Sequence, residues 1–244
     1  MMEKLLCRQL ANDTLLKAVK RSFDIFIKTG TSRSNAKLKP LHGAISADMA
    51  DRLGAGYTVC SQGFEKDKEK SVCGRYYDKR VDIAILNGNQ PVAAIGVKFV
   101  MQNYSQNSNN YFENMLGETA NIRSAKLPYF QVFIALDTLP YYDDKGIIQR
   151  FEELTEHNIS KYIALSNDDT DVFYHTPNKT LVYVVHLTEP LQEPKTKAEY
   201  LGYYASNDYD LVLSNCSYGE FGPAVIFNDY ARFMEKVYHA VMAL

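Results

Sequence analysis

Asp82 and Lys98 stand in two β-rich runs, Arg80 to Leu86 and Pro91 to Val100, joined by Asn87-Gly88-Asn89-Gln90. Asn-Gly between apolar runs is a strong hairpin signal, because both residues tolerate the positive φ of a tight turn. The side-chain period of two puts Val81, Ile83 and Ile85 on one face and Asp82, Ala84 and Leu86 on the other. In the second run Ile95, Val97 and Phe99 share a face, which leaves Ala94, Gly96 and Lys98 together, and antiparallel pairing brings that set alongside Asp82. An unpaired charge in such apolar strands costs on the order of several kcal/mol. Two arrangements compensate it. One is a structural Asp82–Lys98 ion pair at the sheet end. The other is a metal-dependent phosphodiesterase centre: Asp82 binds Mg²⁺, the Val97 carbonyl supplies a further oxygen, and Lys98 orients or deprotonates the attacking water and offsets the phosphate charge.

Such a hairpin needs a scaffold. The 244 residues, 46% apolar and 23% charged, are enough for one large core. We read one domain over 1–244, with its core at about 44–165, a basic helical and loop region at 1–43 and an extension at 166–244. Leu5 to Ile27 suggests one or two amphipathic helices ending at Gly30. A short helix at Ile45 to Leu53 and a strand at Tyr57 to Cys60 precede the hairpin. A helix at Tyr111 to Arg123 and a buried strand at Tyr129 to Leu136 follow it. Further on, the pattern predicts a helix at Gly146 to His157, strands at Lys161 to Leu165 and Thr180 to Leu187, a surface excursion at Glu189 to Glu199, and a closing helix at Asn228 to Leu244. This alternation predicts an α/β fold, a mixed central sheet flanked by helices.

Other chemistries find little support. Cys7, Cys60, Cys73 and Cys216 are far apart with no Cys-x-x-Cys pair, as expected of reduced thiols. His42, His157, His175, His186 and His239 lie in different elements without a His-Glu-x-x-His pattern, so core or surface roles are expected of them. No Walker or Gly-x-Gly-x-x-Gly loop points to a nucleotide cofactor. Neither a secretory leader nor a membrane span is evident, which predicts a cytoplasmic protein.

The net charge of −2 gives no global attraction to nucleic acid, yet charge is segregated. Between Lys17 and Lys39 there are seven basic residues against the single acid Asp24, a local footprint of the kind that phosphate binding needs and that a solvated helix face also produces. In that region Lys28, Thr31, Ser32, Arg33, Ser34, Asn35 and Lys37 have the donors to follow a DNA groove. A second candidate is Gln102, Asn103, Tyr104, Gln106, Asn107, Asn109 and Asn110, since Asn and Gln can read adenine bidentately. The bland alternative is a polar loop capping the next helix.

The run Val81-Asp82-Ile83-Ala84-Ile85, a turn, and Val92-Ala93-Ala94-Ile95-Gly96-Val97-Lys98 resembles the PD-(D/E)XK nucleases, the superfamily of most type II restriction endonucleases. Gln106-Asn107-Ser108-Asn109-Asn110-Tyr111-Phe112-Glu113 is similar to the Asn-rich helix entry of the XhoI-like enzymes, and the likeness spans about residues 60–136. It implies a restriction-endonuclease-like αβββαβ core, Mg²⁺, and cleavage of double-stranded DNA at a short specific site to 5′-phosphate and 3′-hydroxyl ends. A homodimer would suit a palindromic target. The family's second acid stands two residues before the lysine, where this chain has Gly96. Three readings follow. A glutamate of the next helix, Glu113 or Glu118, replaces it; or the protein binds DNA without cutting; or Gly96 is an inactivating change from glutamate. The resemblance also offers Glu65, upstream of the hairpin, as a metal ligand, against its plain reading as part of a solvated charge run.

Overall fold

The computed structural model describes residues 2–31 and 35–244. Helix α1 (Met2–Thr29) leads through a 3₁₀ turn (Asn35–Leu38) to α2 (Lys39–Leu53). The strands β1 (Tyr57–Ser61), β2 (Lys70–Val72), β3 (Lys79–Val81), β4 (Ile83–Asn87) and β5 (Gln90–Val100) follow in succession. Then come α3 (Tyr104–Arg123), β6 (Tyr129–Leu136), β7 (Thr138–Tyr142), β8 (Ile148–Glu153) and α4 (Glu156–Ser166). The chain continues through β9 (Lys179–Leu187), α5 (Lys197–Ser206), β10 (Leu211–Leu213), β11 (Val225–Phe227) and α6 (Tyr230–Met242).

The main sheet has seven strands in the order β1-β4-β5-β6-β9-β10, with β11 also paired to β9. The β5–β6, β6–β9 and β11–β9 pairings are parallel and the others antiparallel, which makes the sheet mixed and α/β in class. All eight residues of β6 are buried, as a strand with parallel neighbours and covered faces requires. On one face Phe130 of β6 meets Phe233 of α6, while on the other Phe133 packs against Tyr104 of α3 and Tyr162 of α4.

The hairpin forms with Gly88 at φ +57° in its turn and Asn87 opposite Gln90. Gly30, at φ +62°, stops α1 as its amide bonds back to the Phe26 carbonyl. Three expectations change. Within 146–157, residues 148–153 form β8, held by antiparallel pairing to β7 and not by a local apolar period, and the next helix begins only at Glu156. Lys161 to Leu165 belongs to α4, which begins at a Thr155–Asn158 capping box. The stretch after 166 contributes β9, β10, β11 and α6 to the main sheet and its cover. Among the described residues no helix is long and apolar enough to cross a membrane.

Candidate functional site

Asp82 is the point at which one chain changes partners. Upstream, β3 pairs with β2 in a separate ribbon; downstream, β4 pairs with β1 and β5 in the main sheet. The β4–β5 ladder stops at Ile83–Ile95, while β5 runs on alongside β6 to Val100. The Val97 amide therefore faces no strand on its β4 side, and Asp82 Oδ2 accepts its hydrogen bond at 2.7 Å. Burial pushes the Asp82 carboxyl up, against the Val97 N–H and the charges of Lys79 and Lys98. Lys98 is half-buried, with Nζ 4.0 Å above the ring of Tyr111. Burial lowers its ammonium and Asp82 raises it.

Asp82, Gly96, Val97 and Lys98 line one cleft of about 140 Å³ together with Tyr111, Asn114 and Glu118. Position 96 is tightly enclosed. A Cβ there would lie 2.1 Å from the Tyr129 hydroxyl and 2.8 Å from Gln131 Oε1, so the backbone conformation accepts any residue but a side chain forces Tyr129 and Gln131 to shift. Tyr129 is buried and donates to Glu118 Oε1 at 3.1 Å. Glu118 also pairs with Lys79 at 2.9 Å. Of the two helix glutamates, Glu118 reaches the cleft; Glu113 is exposed on another side of α3, where it partly opposes the burial that lowers the Lys161 ammonium.

Two residues that sequence reasoning passed over stand on the opposite side of Asp82. The β2–β3 ladder ends with Lys70 opposite Val81, and Glu69 and Asp82 are the residues just beyond it. His42 comes from α2, which approaches the turn after β1 so closely that a Cβ on Gly43 would sit 2.3 Å from the Gly63 carbonyl. Its Nε2 is 4.0 Å from Asp82 Oδ1. One ligand atom from each of His42, Glu69 and Asp82 lies within 4.8 Å of the others. His42 is 3% exposed and neither ring nitrogen has a hydrogen-bond partner. Burial holds the ring down to about 4, against the pull of Glu69, so it is neutral at pH 7. Glu65 is exposed in the turn after β1, where it takes φ +41°.

A second cleft of about 400 Å³ adjoins the first through Lys98 and Tyr111 and is lined by Lys37, Gln102, Asn103, Gln106 and Asn107. Lys37 is 6% exposed; burial and the neighbouring Lys98 bring it down to about 8. The Asn-rich stretch differs from expectation, since α3 begins at Tyr104 and takes up residues 104–110. Tyr104 is a core residue, its hydroxyl donating to the Asn158 carbonyl, which corrects its assignment to DNA contact. Asn103 is tied to the Tyr142 backbone in both directions, and Asn109 accepts from Lys161. Gln106 and Asn110 are exposed. Of the first stretch expected to meet DNA, Lys28 is exposed in the last turn of α1 and Thr31 follows Gly30, whereas Ser32, Arg33, Ser34 and the side chain of Asn35 lie outside the described residues. Lys20 points the other way, donating to the Tyr209 carbonyl and covering its ring.

Compared with known proteins, the chain matches no family model, no curated protein and no solved structure.

Proposed function

We propose that this protein is a divalent-metal-dependent phosphodiesterase acting on double-stranded DNA, of the type II restriction endonuclease kind, with its reaction centre at Asp82 and Lys98. The observation that carries the reading is the meeting of the two groups in one cleft at the open end of the hairpin, where Asp82 replaces a strand as partner of the Val97 amide. The carboxylates and the imidazole around Asp82 form a donor set that suits a divalent ion. Such an ion, when bound, polarises a phosphoryl oxygen and lowers the pKa of water. Lys98, pulled below the ordinary lysine range by burial, is suited to hold or move the proton of that water. Lys37 and Lys98, two cations converging on the larger cleft, suit the backbone phosphates flanking the scissile bond. Two strands need two centres, and a homodimer supplies them to a palindromic site.

Nicking of supercoiled plasmid in Mg²⁺ or Mn²⁺ tests this. The wild-type chain cuts, and Asp82→Asn and Lys98→Met each lose about 10²-fold or more. Equal nicking by all three refutes the assignment. One observation favours the non-cutting alternative: Glu118, the helix acid that lines the cleft beside Gly96, is already paired with Lys79. That reading expects salt-sensitive duplex binding with no nicking in either metal.

A further inference from the structure

We propose that His42, Glu69 and Asp82 form a mixed nitrogen and oxygen site for a first-row transition ion, Mn²⁺ in preference to Mg²⁺, on the side of Asp82 away from Gly96. Three features of the fold point there. Glu69, just before β2, and Asp82, just after β3, bring two carboxylates to one end of the ribbon beside His42. The imidazole that closes the group is buried with both nitrogens unpartnered, and a buried polar group of that kind calls for an ion or water not otherwise accounted for. The spacing also fits. Donors bound to one ion at about 2.1 Å lie no more than about 4.2 Å apart. The His42–Asp82 pair stands at 4.0 Å, and the whole group, within 4.8 Å, needs to close by only a few tenths of an ångström.

The two oxygens of Asp82 divide the work. Oδ2 is held by the Val97 amide and Oδ1 faces His42. Glu69 is oriented from behind, its Oε1 accepting from Gln62 Nε2 at 2.9 Å. Imidazole favours transition ions over Mg²⁺, which prefers oxygen and keeps its water. Position 96, filled by Tyr129, thus need not provide an acid: the second carboxylate comes from the strand ribbon instead of the hairpin.

The inference shares Asp82 with the proposed function but is measured without DNA. Mn²⁺ titrated into the chelator-treated full chain is followed by electron paramagnetic resonance. We expect one site, held at least about tenfold more tightly than Mg²⁺ in competition, with a nitrogen modulation in the pulsed spectrum. His42→Gln abolishes the nitrogen signal and the preference for Mn²⁺. Glu69→Gln, at a half-exposed position that does not threaten folding, weakens binding about tenfold or more while its thermal melt stays unchanged. Should His42→Gln fail to fold, Glu69→Gln and the wild-type nitrogen signal decide. No bound Mn²⁺, an ion without nitrogen coupling, or binding indifferent to Glu69→Gln would each overturn the site and assign the pocket to ordered water. Nicking that survives Glu69→Gln but not Asp82→Asn would leave the proposed function standing while this inference fails.

Discussion

Gly96 is the position at which family resemblance and packing make opposite demands, and Gly96→Glu separates them. If the glycine were a lesion in an otherwise intact nuclease, restoring glutamate would restore cutting. The packing says otherwise. The first side-chain atom would overlap the Tyr129 hydroxyl at 2.1 Å, the tip of a ring that is 1% exposed and cannot swing into solvent. Forcing extra atoms into such a core costs about 1–3 kcal/mol. Displacing the tyrosine also breaks its bonds to Glu118 and Gln131, at 3.1 and 3.3 Å, and stranding buried polar groups adds about 1–3 kcal/mol. Together the loss is about 2–6 kcal/mol, or a melting temperature lower by roughly 4–24 °C for a chain of this size. Urea and thermal unfolding of Gly96→Ala and Gly96→Glu measure it, with Tyr129→Phe as the second arm of a double-mutant cycle. Removing the hydroxyl relieves the shortest contact, so the pair should be less destabilising than the sum of the singles by about 1 kcal/mol or more. A Gly96→Glu protein that melts with the wild type and gains nicking would refute the reasoning.

Two pH effects follow from buried bases. An unfolded histidine titrates near 6.5 and His42 only near 4, so the unfolded chain binds the extra proton between those values. In chelator, stability is therefore full above 6.5 and falls as the pH drops toward 4, by about 3 kcal/mol if the whole shift is expressed. The raised carboxyl of Asp82 offsets part of this. Urea midpoints at pH 7, 5.5 and 4.5 should converge between wild type and His42→Gln as the pH falls, and parallel curves would sink the assignment. Lys37 loses its proton through about pH 8, so duplex affinity should fall as the pH rises from 7 to 9, and Lys37→Arg should abolish that dependence. Lys37→Ala should lower the salt slope of binding by about 1, read by fluorescence anisotropy.

The elements that were legible from the sequence are those with one dominant period or a hard stop: β6 as a continuous apolar run, the Asn87–Gln90 turn, the end of α1 at Gly30, and α6. The α3 boundary was not, because Ser105 to Asn110 is polar throughout and carries no helical period; the helix is anchored there by Tyr104 packed on Phe133. The site divides in the same way. Asp82 and Lys98 share a hairpin, so local register brings them together. Glu69 differs from Glu65 only in where a turn with three positive-φ residues, Gly63, Glu65 and Asp67, delivers it, and His42 depends on the Gly43–Gly63 approach of α2 to the turn after β1. Contacts of that kind arise between distant segments and leave no spacing to read.

A strand that changes partners at a single residue explains why these features occur together. With Val81 in the ribbon and Ile83 in the sheet, Asp82 belongs to neither ladder, so its carboxylate is available on both sides. Toward β5 it satisfies an amide that the departing strand would otherwise orphan; toward the ribbon it meets the residue that precedes Lys70. Any aspartate at such a junction does the first job, as asparagine would. Only the second holds a carboxylate beside Glu69 and a neutral imidazole, where burial makes its charged form costly unless a cation resides there. Asp82→Asn should therefore fold at least as stably as the wild type in chelator and less stably in saturating Mn²⁺, a reversal of order that a purely structural aspartate would not show.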